Sequence, residues 1–348
     1  MTTQKQNVGD TGLTLEDWRR LHTVAAQVRA LEPWLWMVET EIFGVQDTQS
    51  SQMLFVSVMG TLGEHFAVAV YPGAGELARQ QFMAQASTDE QPDLFFDTRH
   101  AQGVFDKKSA LHPVEKEIVK HLGVVHKGGH AWPSFQSFRP GFFPWVADAE
   151  EARWLLLAME QLLAMAPRIE QNPDVLCSPT DEDAILVRLP DAATPGGWRE
   201  EFRVYTPATH HLQVVVPPEL LGTVRFLPQS PFHLEADVFP LPTPLGPRGE
   251  RPQLPYALLL VDTASLFELG FDILGVQSSL EGMWLEAPGK LLHLLAKNKV
   301  RPASLSVERP WLGSVLQKLC ADLDIALRPG RLTTLPRVRR DMEQMLRR

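Results

Sequence analysis

The chain has 348 residues, of which 44% are hydrophobic and 22% are charged, and its formal net charge at pH 7 is -9. That apolar content is enough for at least one sizeable core and excludes a wholly disordered chain. The longest apolar runs are far shorter than the roughly 20 residues that cross a bilayer, which excludes a membrane-spanning protein.

The cysteine count and the first residues indicate the compartment. Cys177 and Cys320 are the only cysteines, too few for a disulfide framework or a thiolate zinc site. The start, MTTQKQNVGD, lacks the basic flank and the apolar stretch of a secretory signal. We therefore expect a cytoplasmic protein that is not bound to a membrane.

Charge is distributed unevenly along the chain. From Arg251 onward there are 14 Lys+Arg and 10 Asp+Glu, a balance of +4, whereas the preceding residues carry 19 and 32, a balance of -13. Near the end, seven arginines oppose only Asp341 and Glu343: Arg328, Arg331, Arg337, Arg339, Arg340, Arg347 and Arg348. This stretch is suited to attracting a polyanion, or else forms a solvated helix face or a dock for the acidic first part.

Residues 1–170 predict an α+β domain. Apolar residues spaced three and four apart predict a helix from Thr14 to Ala30, with Thr14 as the N-cap. Turn signals between β-like runs predict a meander. Strands are predicted at Met37–Val45, Met53–Met59 and Phe66–Tyr71, and further helices at Glu76–Ala86, from His112 to Gly123, and from Asp148 to about Met165.

An aromatic segment lies between Gly128 and Trp145 and includes HAWPSFQSFRPGFFPW. Its three prolines exclude a regular helix, so we expect an ordered loop. The rings and one arginine are suited to stacking on bases or sugars or to binding a protein. Alternatively, the rings pack the first domain beneath the loop. The candidate binding residues are Trp132, Phe135, Arg139 and Trp145.

The rest of the chain predicts two further regions. Residues 171–250 predict a β-rich connecting region, with strands at Ala184–Leu189, Phe202–Tyr205 and Leu212–Val216, followed by a proline-rich loop. Residues 251–348 alternate strands and helices, which predicts an α/β domain with a basic terminal helix. Its strands are predicted at Tyr256–Asp262, Phe267–Leu274, Ala303–Glu308 and Ile325–Arg328, and its helices at Gly289–Asn298, Trp311–Leu323 and Leu335–Leu346.

Several apolar and aromatic segments carry a family resemblance. The segments PWLWMVETEIFGV, MLFVSVMG, FAVAVYPG and WPSFQSFRPGFFPW, and the stretch from PYALLLVD through RPASLSVERPWLGSVLQKL, resemble an uncharacterised bacterial family. Members of that family pair two domains of unknown function. The resemblance spans most of the chain and implies a bacterial two-domain protein, but it carries no activity with it.

The order of elements after Arg251 also resembles the RNase H-like fold, with a further hairpin strand expected between Gly275 and Trp284. This resemblance implies carboxylates that converge on two Mg²⁺ or Mn²⁺ ions to cleave a phosphodiester. The second acid of the set, Glu308, is Glu where that superfamily usually has Asp, which is a departure from the catalytic pattern. The first acid, Asp262, has the alternative role of a turn residue at a strand end. The candidate catalytic residues are Asp262, Glu308, Asp341 and Glu343.

Two other patterns are less specific. Gly73, Gly75 and Ala78 match a dinucleotide-binding loop, but they follow a meander rather than the first strand of a βαβ unit, and a glycine turn into a helix is the alternative. Five histidines offer imidazoles without a metal-binding spacing, so no metal site is predicted. They are His100, His112, His121, His126 and His130.

The leading hypothesis is a non-catalytic binding protein of the cytoplasm that needs no cofactor and whose partner is a protein or a nucleic acid. One alternative is a metal-dependent nuclease that uses the acids above with Mg²⁺ or Mn²⁺. The other is a nucleic-acid-binding protein without catalysis, which would bind through Arg337, Arg339 and Arg340. The sequence leaves the oligomeric state open.

Overall fold

The computed structural model describes residues 11–86, 91–194, 197–207, 214–276 and 279–346, and its side chains except those of residues 91, 92, 343, 345 and 346. The chain forms two compact units. The first comprises Met1–Arg139 and Pro144–Ala208, and the second Pro140–Phe143 and Thr209–Arg348. Each unit has one β-sheet with helices packed on both faces, which confirms the predicted mixture of α and β structure in both parts.

Eight strands form the sheet of the first unit, in the order β6-β5-β4-β3-β2-β1-β7-β8. In chain order they are β1 (Phe43–Gln46), β2 (Met53–Met59), β3 (Phe66–Pro72), β4 (His100–Asp106), β5 (Trp132–Phe138), β6 (Trp145–Val146), β7 (Ile185–Pro190) and β8 (Trp198–Arg203). Neighbouring strands are antiparallel except β1 and β7, which are parallel. The predicted meander of β2 and β3 therefore lies inside a larger sheet.

Helices α1 (Leu15–Leu31) and α5 (Ala149–Gln171) cover one face of this sheet. Thr14 and Asp17 form a capping box at the start of α1, and Asp148 and Glu151 form another at the start of α5. Both predicted helix starts are confirmed. Helix α5 continues beyond its predicted end because Ile169 is buried in the core with the other apolar residues of its inner face.

Helices α2 (Gly73–Gln85) and α3 (Gln91–Asp97) lie on the other face, and α4 (Pro113–Leu122) contacts α1. Alternation along β2 divides the faces: Leu54 and Val56 join the core beneath α1 and α5, whereas Phe55 packs with Tyr71 and Leu77. The glycine motif at Gly73 opens α2 directly after an antiparallel strand.

The aromatic segment is a strand rather than the expected loop. β5 pairs with β4 along its whole length, and Pro133 lies opposite Phe105. The N–H of Phe135 donates to the Glu115 carboxylate, so it points away from β4. Two residues earlier, Pro133 faces the same way and removes no hydrogen bond from the ladder. Proline excluded a helix here but not a strand.

The sheet of the second unit has the order β11-β10-β9-β12-β13. Its strands are β9 (His233–Pro240), β10 (Tyr256–Asp262), β11 (Glu268–Leu274), β12 (Ser304–Val307) and β13 (Ala326–Pro329). β10 is antiparallel to both β9 and β11, whereas β12 is parallel to β9 and β13 is parallel to β12. Helices α6 (Pro218–Arg225), α7 (Leu280–Asn298) and α8 (Pro310–Asp322) pack on one face, and α9 (Leu335–Leu346) packs on the other.

The additional strand of this sheet is β9, which precedes the predicted hairpin. The hairpin strand expected between Gly275 and Trp284 is not there: α7 already begins at Leu280, and residues 277–278 lie outside the described part. The sequence did not predict β9 because buried acids interrupt its apolar pattern, HLEADVFP. Its neighbours β10 and β12 supply the hydrogen bonds that hold it inside the sheet.

The structure divides the predicted connecting region, residues 171–250, between the two units. β7 and β8 extend the first sheet, and β9 lies at the centre of the second. Of the strand predicted at Leu212–Val216, residues 212–213 lie outside the described part and residues 214–216 are irregular. The division follows strand pairing, which no local composition signals.

Candidate functional site

The first predicted acid, Asp262, stabilises a turn. It lies at the end of β10, where its Oδ2 accepts hydrogen bonds from the Ser265 N–H (2.9 Å) and hydroxyl (2.6 Å). Burial disfavours its charge, but these hydrogen bonds outweigh burial and lower the pKa of Asp262. The side chain has the geometry of the strand-end turn that the sequence offered as the alternative.

Glu308 lies away from Asp262. Strand register sets Asp262 level with Leu234, whereas Glu308 is two residues beyond Ser306, which pairs with Glu235. Two strand spacings and three residues along the strands separate their Cα atoms by about 14 Å. Glu308 is exposed and accepts a hydrogen bond from the Leu332 N–H (3.3 Å).

Of the two predicted acids on the last helix, the structure describes the side chain of Asp341 only. Asp341 is exposed on α9, and the side chain of Glu343 lies outside the described residues. Within the described part of the chain, no group of three or more His, Cys, Asp or Glu side chains could hold a metal ion. The described carboxylates Asp262, Glu308 and Asp341 therefore do not form a group suited to two-metal chemistry.

Sequence reasoning missed two buried acids on β9. The Glu235 carboxylate accepts hydrogen bonds from the backbone N–H groups of Thr333 (3.0 Å), Thr334 (2.9 Å) and Leu335 (2.6 Å), the last being the first residue of α9. Asp237 accepts a hydrogen bond from Arg309 Nε at 2.8 Å. The available signal was the alternation of acidic and apolar residues along a half-buried strand.

Four exposed arginines follow one another from β13 into α9: Arg328, Arg331, Arg337 and Arg340, hereafter the arginine surface. Arg328 lies on β13, Arg331 in the connection, and the other two in the first turns of α9. Among the residues that the structure describes, none of the four has a carboxylate within ion-pair distance. Helix α9 buries Leu335 and packs Val338 and Met342 against the sheet, which leaves Arg337 and Arg340 on its outer side.

The third predicted arginine of α9 differs from its neighbours. The Arg339 guanidinium lies 4.3 Å from the centre of the Phe239 ring, and its side chain is half-buried. A guanidinium over an aromatic face is stabilised by a cation–π interaction and packs its stem on the ring. Arg339 thus contributes to packing α9 on β9, whereas Arg337 and Arg340 are available to a partner.

The predicted aromatic surface is mostly interior. Phe135 has no exposed surface and packs against Trp18, and Trp132 is buried with the Lys108 ammonium 4.7 Å from its ring. Trp145 is half-buried against His112. These rings therefore do not form the exposed stacking platform, since alternate residues of β5 point into the core.

Arg139 is likewise engaged within the first unit. Its Nε donates to the Glu151 carboxylate at 2.9 Å, and its guanidinium also pairs with Asp148. These two acids form the capping box at the start of α5, so Arg139 ties the end of β5 to that helix. A guanidinium held by two carboxylates is poorly suited to meeting a phosphate.

The five histidines are dispersed. His100 is buried in the sheet, His112 caps α4, His121 bonds its own helix, and His130 lies 3.7 Å from Asp106. His126 lies against His22, with 3.3 Å between His22 Nδ1 and His126 Nε2. Burial, and then His126, lower the pKa of His22 to about 4. These are separate structural environments rather than one ligand set.

The glycine motif also differs from a dinucleotide site. β3, which precedes it, is antiparallel to both β2 and β4, whereas the dinucleotide loop opens a parallel βαβ unit. Gly73 has φ 86°, and the helix begins at that residue. The arrangement is a glycine turn into a helix.

Comparison with known families agrees with the two-part structure. A domain of unknown function, DUF7309, matches residues 18–188, and another, DUF6930, matches residues 221–343. No curated protein and no solved structure matches the chain. Among the described residues, no helix is long and apolar enough to cross a membrane. Residues 18–188 are thus similar to DUF7309 and residues 221–343 to DUF6930, and together these matches support a two-domain protein.

Proposed function

We propose that this protein acts by binding rather than by catalysis, and that its second unit binds nucleic acid through the arginine surface. The observation that carries the proposal is the set of four exposed arginines between residues 328 and 340 that lack an ion-pair partner among the described residues. In the first unit, the exposed arginines Arg19, Arg20 and Arg168 each pair with a glutamate. Unpaired positive charge at one place favours an anionic partner.

Arginine chemistry favours phosphate as the group that is bound. The guanidinium stays charged at all physiological pH values and donates two parallel hydrogen bonds to a phosphate. Backbone phosphates are present in every sequence of DNA or RNA, so such contacts give affinity without base specificity. The rings of Trp132, Phe135 and Trp145 are buried or half-buried in the first unit, so we propose that the arginines of the second unit bind the phosphate backbone.

The positions of the buried acids support a role without catalysis. Asp262 stabilises a turn, Glu235 caps α9, and Asp237 is paired with Arg309. We infer that the second unit is an RNase H-like module without nuclease activity and without a metal cofactor. Three antiparallel strands followed by two parallel strands with intervening helices support the first part of that inference. Two free thiols support a cytoplasmic location.

The test is fluorescence anisotropy with a labelled duplex, a labelled single strand and an RNA:DNA hybrid, at several salt concentrations. If four phosphates are neutralised, the association constant for duplex falls by about 100-fold between about 50 and 200 mM salt. The double variant Arg337→Gln/Arg340→Gln should weaken binding and lower the slope of log K against log salt by about two.

The matched control is Arg225→Gln/Lys297→Gln, which removes the same charge from exposed residues of α6 and α7, on the opposite face of the sheet. Its affinity and salt slope should stay close to those of the unchanged protein. Salt-independent binding, or equal losses in both double variants, would reject the arginine surface. Cleavage of the hybrid with Mg²⁺ that disappears in Asp262→Ala would instead establish the nuclease.

A further inference from the structure

A cavity of about 300 Å³ lies in the first unit, on the face of the sheet that α2 and α3 cover. Its walls combine four apolar side chains with three polar ones. The apolar ones are Met59, Met83, Ala84 and Phe95, and the polar ones are Glu39, Tyr71 and Gln80. The volume is at the lower end of the range for small-molecule sites, so the occupant is a small molecule.

A polar group lies at the wall of the cavity. Tyr71 lies on β3, lines the cavity and is only 1% exposed. Burial, and then the nearby Glu39 carboxylate, raise the pKa of Tyr71, so the hydroxyl stays protonated at neutral pH. A protonated hydroxyl at a cavity wall can form a hydrogen bond with a ligand in the cavity.

The rim of the cavity carries a negative charge. Glu39 is exposed on its outer side and has no Lys or Arg within ion-pair distance in the described part of the chain. Partial burial raises the pKa of Glu39, and His65 opposes that shift. A carboxylate that is partly desolvated and unpaired gains most from a cation.

A chain of hydrogen-bonded polar side chains lies beside the cavity and fixes its geometry. His65 Nε2 lies 2.9 Å from Gln102 Oε1, Gln102 Nε2 lies 3.1 Å from His100 Nε2, and His100 Nδ1 lies 2.8 Å from the Thr98 carbonyl oxygen. The carbonyl can only accept, so Nδ1 of His100 carries the proton and Nε2 accepts from the Gln102 amide.

His100 therefore adds no positive charge near the cavity. Burial lowers the pKa of His100 to about 4, which keeps the ring neutral at pH 7. The ring lies 5.4 Å from that of Tyr71 and 4.8 Å from that of Phe95, measured between ring centres, so it holds both walls in position. No Lys or Arg lines the cavity.

We propose that this cavity binds a small organic cation, whose ammonium group lies between the Glu39 carboxylate and the Tyr71 hydroxyl and whose alkyl part contacts Met59, Met83 and Phe95. The carboxylate and the hydroxyl accept hydrogen bonds from the ammonium. The thioethers and the aromatic ring provide an apolar wall, and an aromatic face also attracts a cation. The acidic balance of the first 250 residues favours the same sign of ligand.

The test uses the full chain and three probes of nearly equal size: butylammonium, butanol and butyrate. Affinities are measured by NMR titration. We expect butylammonium to bind about tenfold or more tightly than butanol, and butyrate to bind least. Glu39→Gln should weaken butylammonium binding by about tenfold or more, because it removes the negative charge, and Tyr71→Phe by about threefold to tenfold, because it removes one acceptor.

The matched control is Glu64→Gln, which removes the same charge from an exposed residue that does not line the cavity. Its affinity for butylammonium should be unchanged, and near-ultraviolet circular dichroism should show that all three variants keep their packing. No binding of butylammonium, equal binding of butanol or butyrate, or an equal loss in Glu39→Gln and Glu64→Gln would overturn the proposal.

Discussion

Glu115 illustrates how a single buried acid is held in the first unit. Its carboxylate accepts hydrogen bonds from the N–H of Phe135 at 2.7 Å, the hydroxyl of Ser134 at 2.8 Å and the N–H of His112 at 3.1 Å. It thereby closes the capping box of α4 and joins that helix to β5. Burial nevertheless outweighs these donors and raises the pKa of Glu115 to about 7.

This pKa predicts a pH-dependent stability. The ordinary pKa is 4.5, so between pH 4.5 and about 7 the folded state binds more protons than the unfolded state. The contribution of Glu115 to the free energy of unfolding therefore falls as pH rises through this window, by up to about 3 kcal/mol. Chemical denaturation at several pH values gives the free energy of unfolding of the unchanged protein and of Glu115→Gln. The difference between these two free energies isolates the contribution of Glu115.

The control is Glu117→Gln, which removes the same charge from the exposed side of the same helix. A difference for Glu115→Gln that is constant across the window, or that grows with pH, would contradict the assignment. The comparison is needed because buried His22 and His100, with lowered pKa values, make stability rise with pH over nearly the same range.

Among the elements, α9 combines two roles on two sides. Its inner side packs Leu335, Val338 and Met342 onto β9 and β10, and Glu235 satisfies the N–H groups at its start. Its outer side carries two members of the arginine surface. The position of these arginines therefore depends on apolar contacts and on one buried carboxylate, none of which touches a partner.

The two sides of α9 should respond differently to substitution. Leu335 is 1% exposed, so Leu335→Ala should lower the free energy of unfolding of this region by about 2–4 kcal/mol. Arg337→Gln should change it by less than about 0.5 kcal/mol, because the side chain is exposed. Amide hydrogen exchange in α9 measures both. Faster amide exchange of α9 in Arg337→Gln than in Leu335→Ala would contradict the assignment of Leu335 to the inner side and Arg337 to the outer side.

At the scale of the whole molecule, each unit has its own principal core. The core of the first contains Trp18, Leu155 and Trp154, and the core of the second contains Leu258, Leu292 and Leu316. No buried residue belongs to both clusters. Separate cores of this size are typical of domains with their own cooperative unfolding.

We therefore expect calorimetry to resolve two thermal transitions. Leu155→Ala should lower the midpoint of one by about 5–15 °C, and Leu316→Ala should lower the midpoint of the other by a similar amount. Both leucines are fully buried, so the two substitutions form a matched pair. A single transition that both substitutions shift equally would show that the chain unfolds as one unit.

The sequence by itself determined the elements whose signals are local. Thr14 and Asp148 mark helix starts because a short polar side chain caps the adjacent N–H groups, and β2, β3 and β10 are apolar runs bounded by turns. The basic end and the two-domain character likewise follow from composition and resemblance, and the family matches confirm the second.

Only the tertiary structure decided which side chains meet. β9 is held by its neighbours rather than by its own pattern, and its place in the sheet sets Glu308 level with Asp237 instead of Asp262. Pro133 fits within β5 because its backbone nitrogen, which has no hydrogen to donate, points away from β4. Glu39 and Gln80 reach one cavity from a loop and a helix. Strand order and register depend on pairing between distant segments, so the spacing of residues along the sequence cannot predict which of these side chains come together.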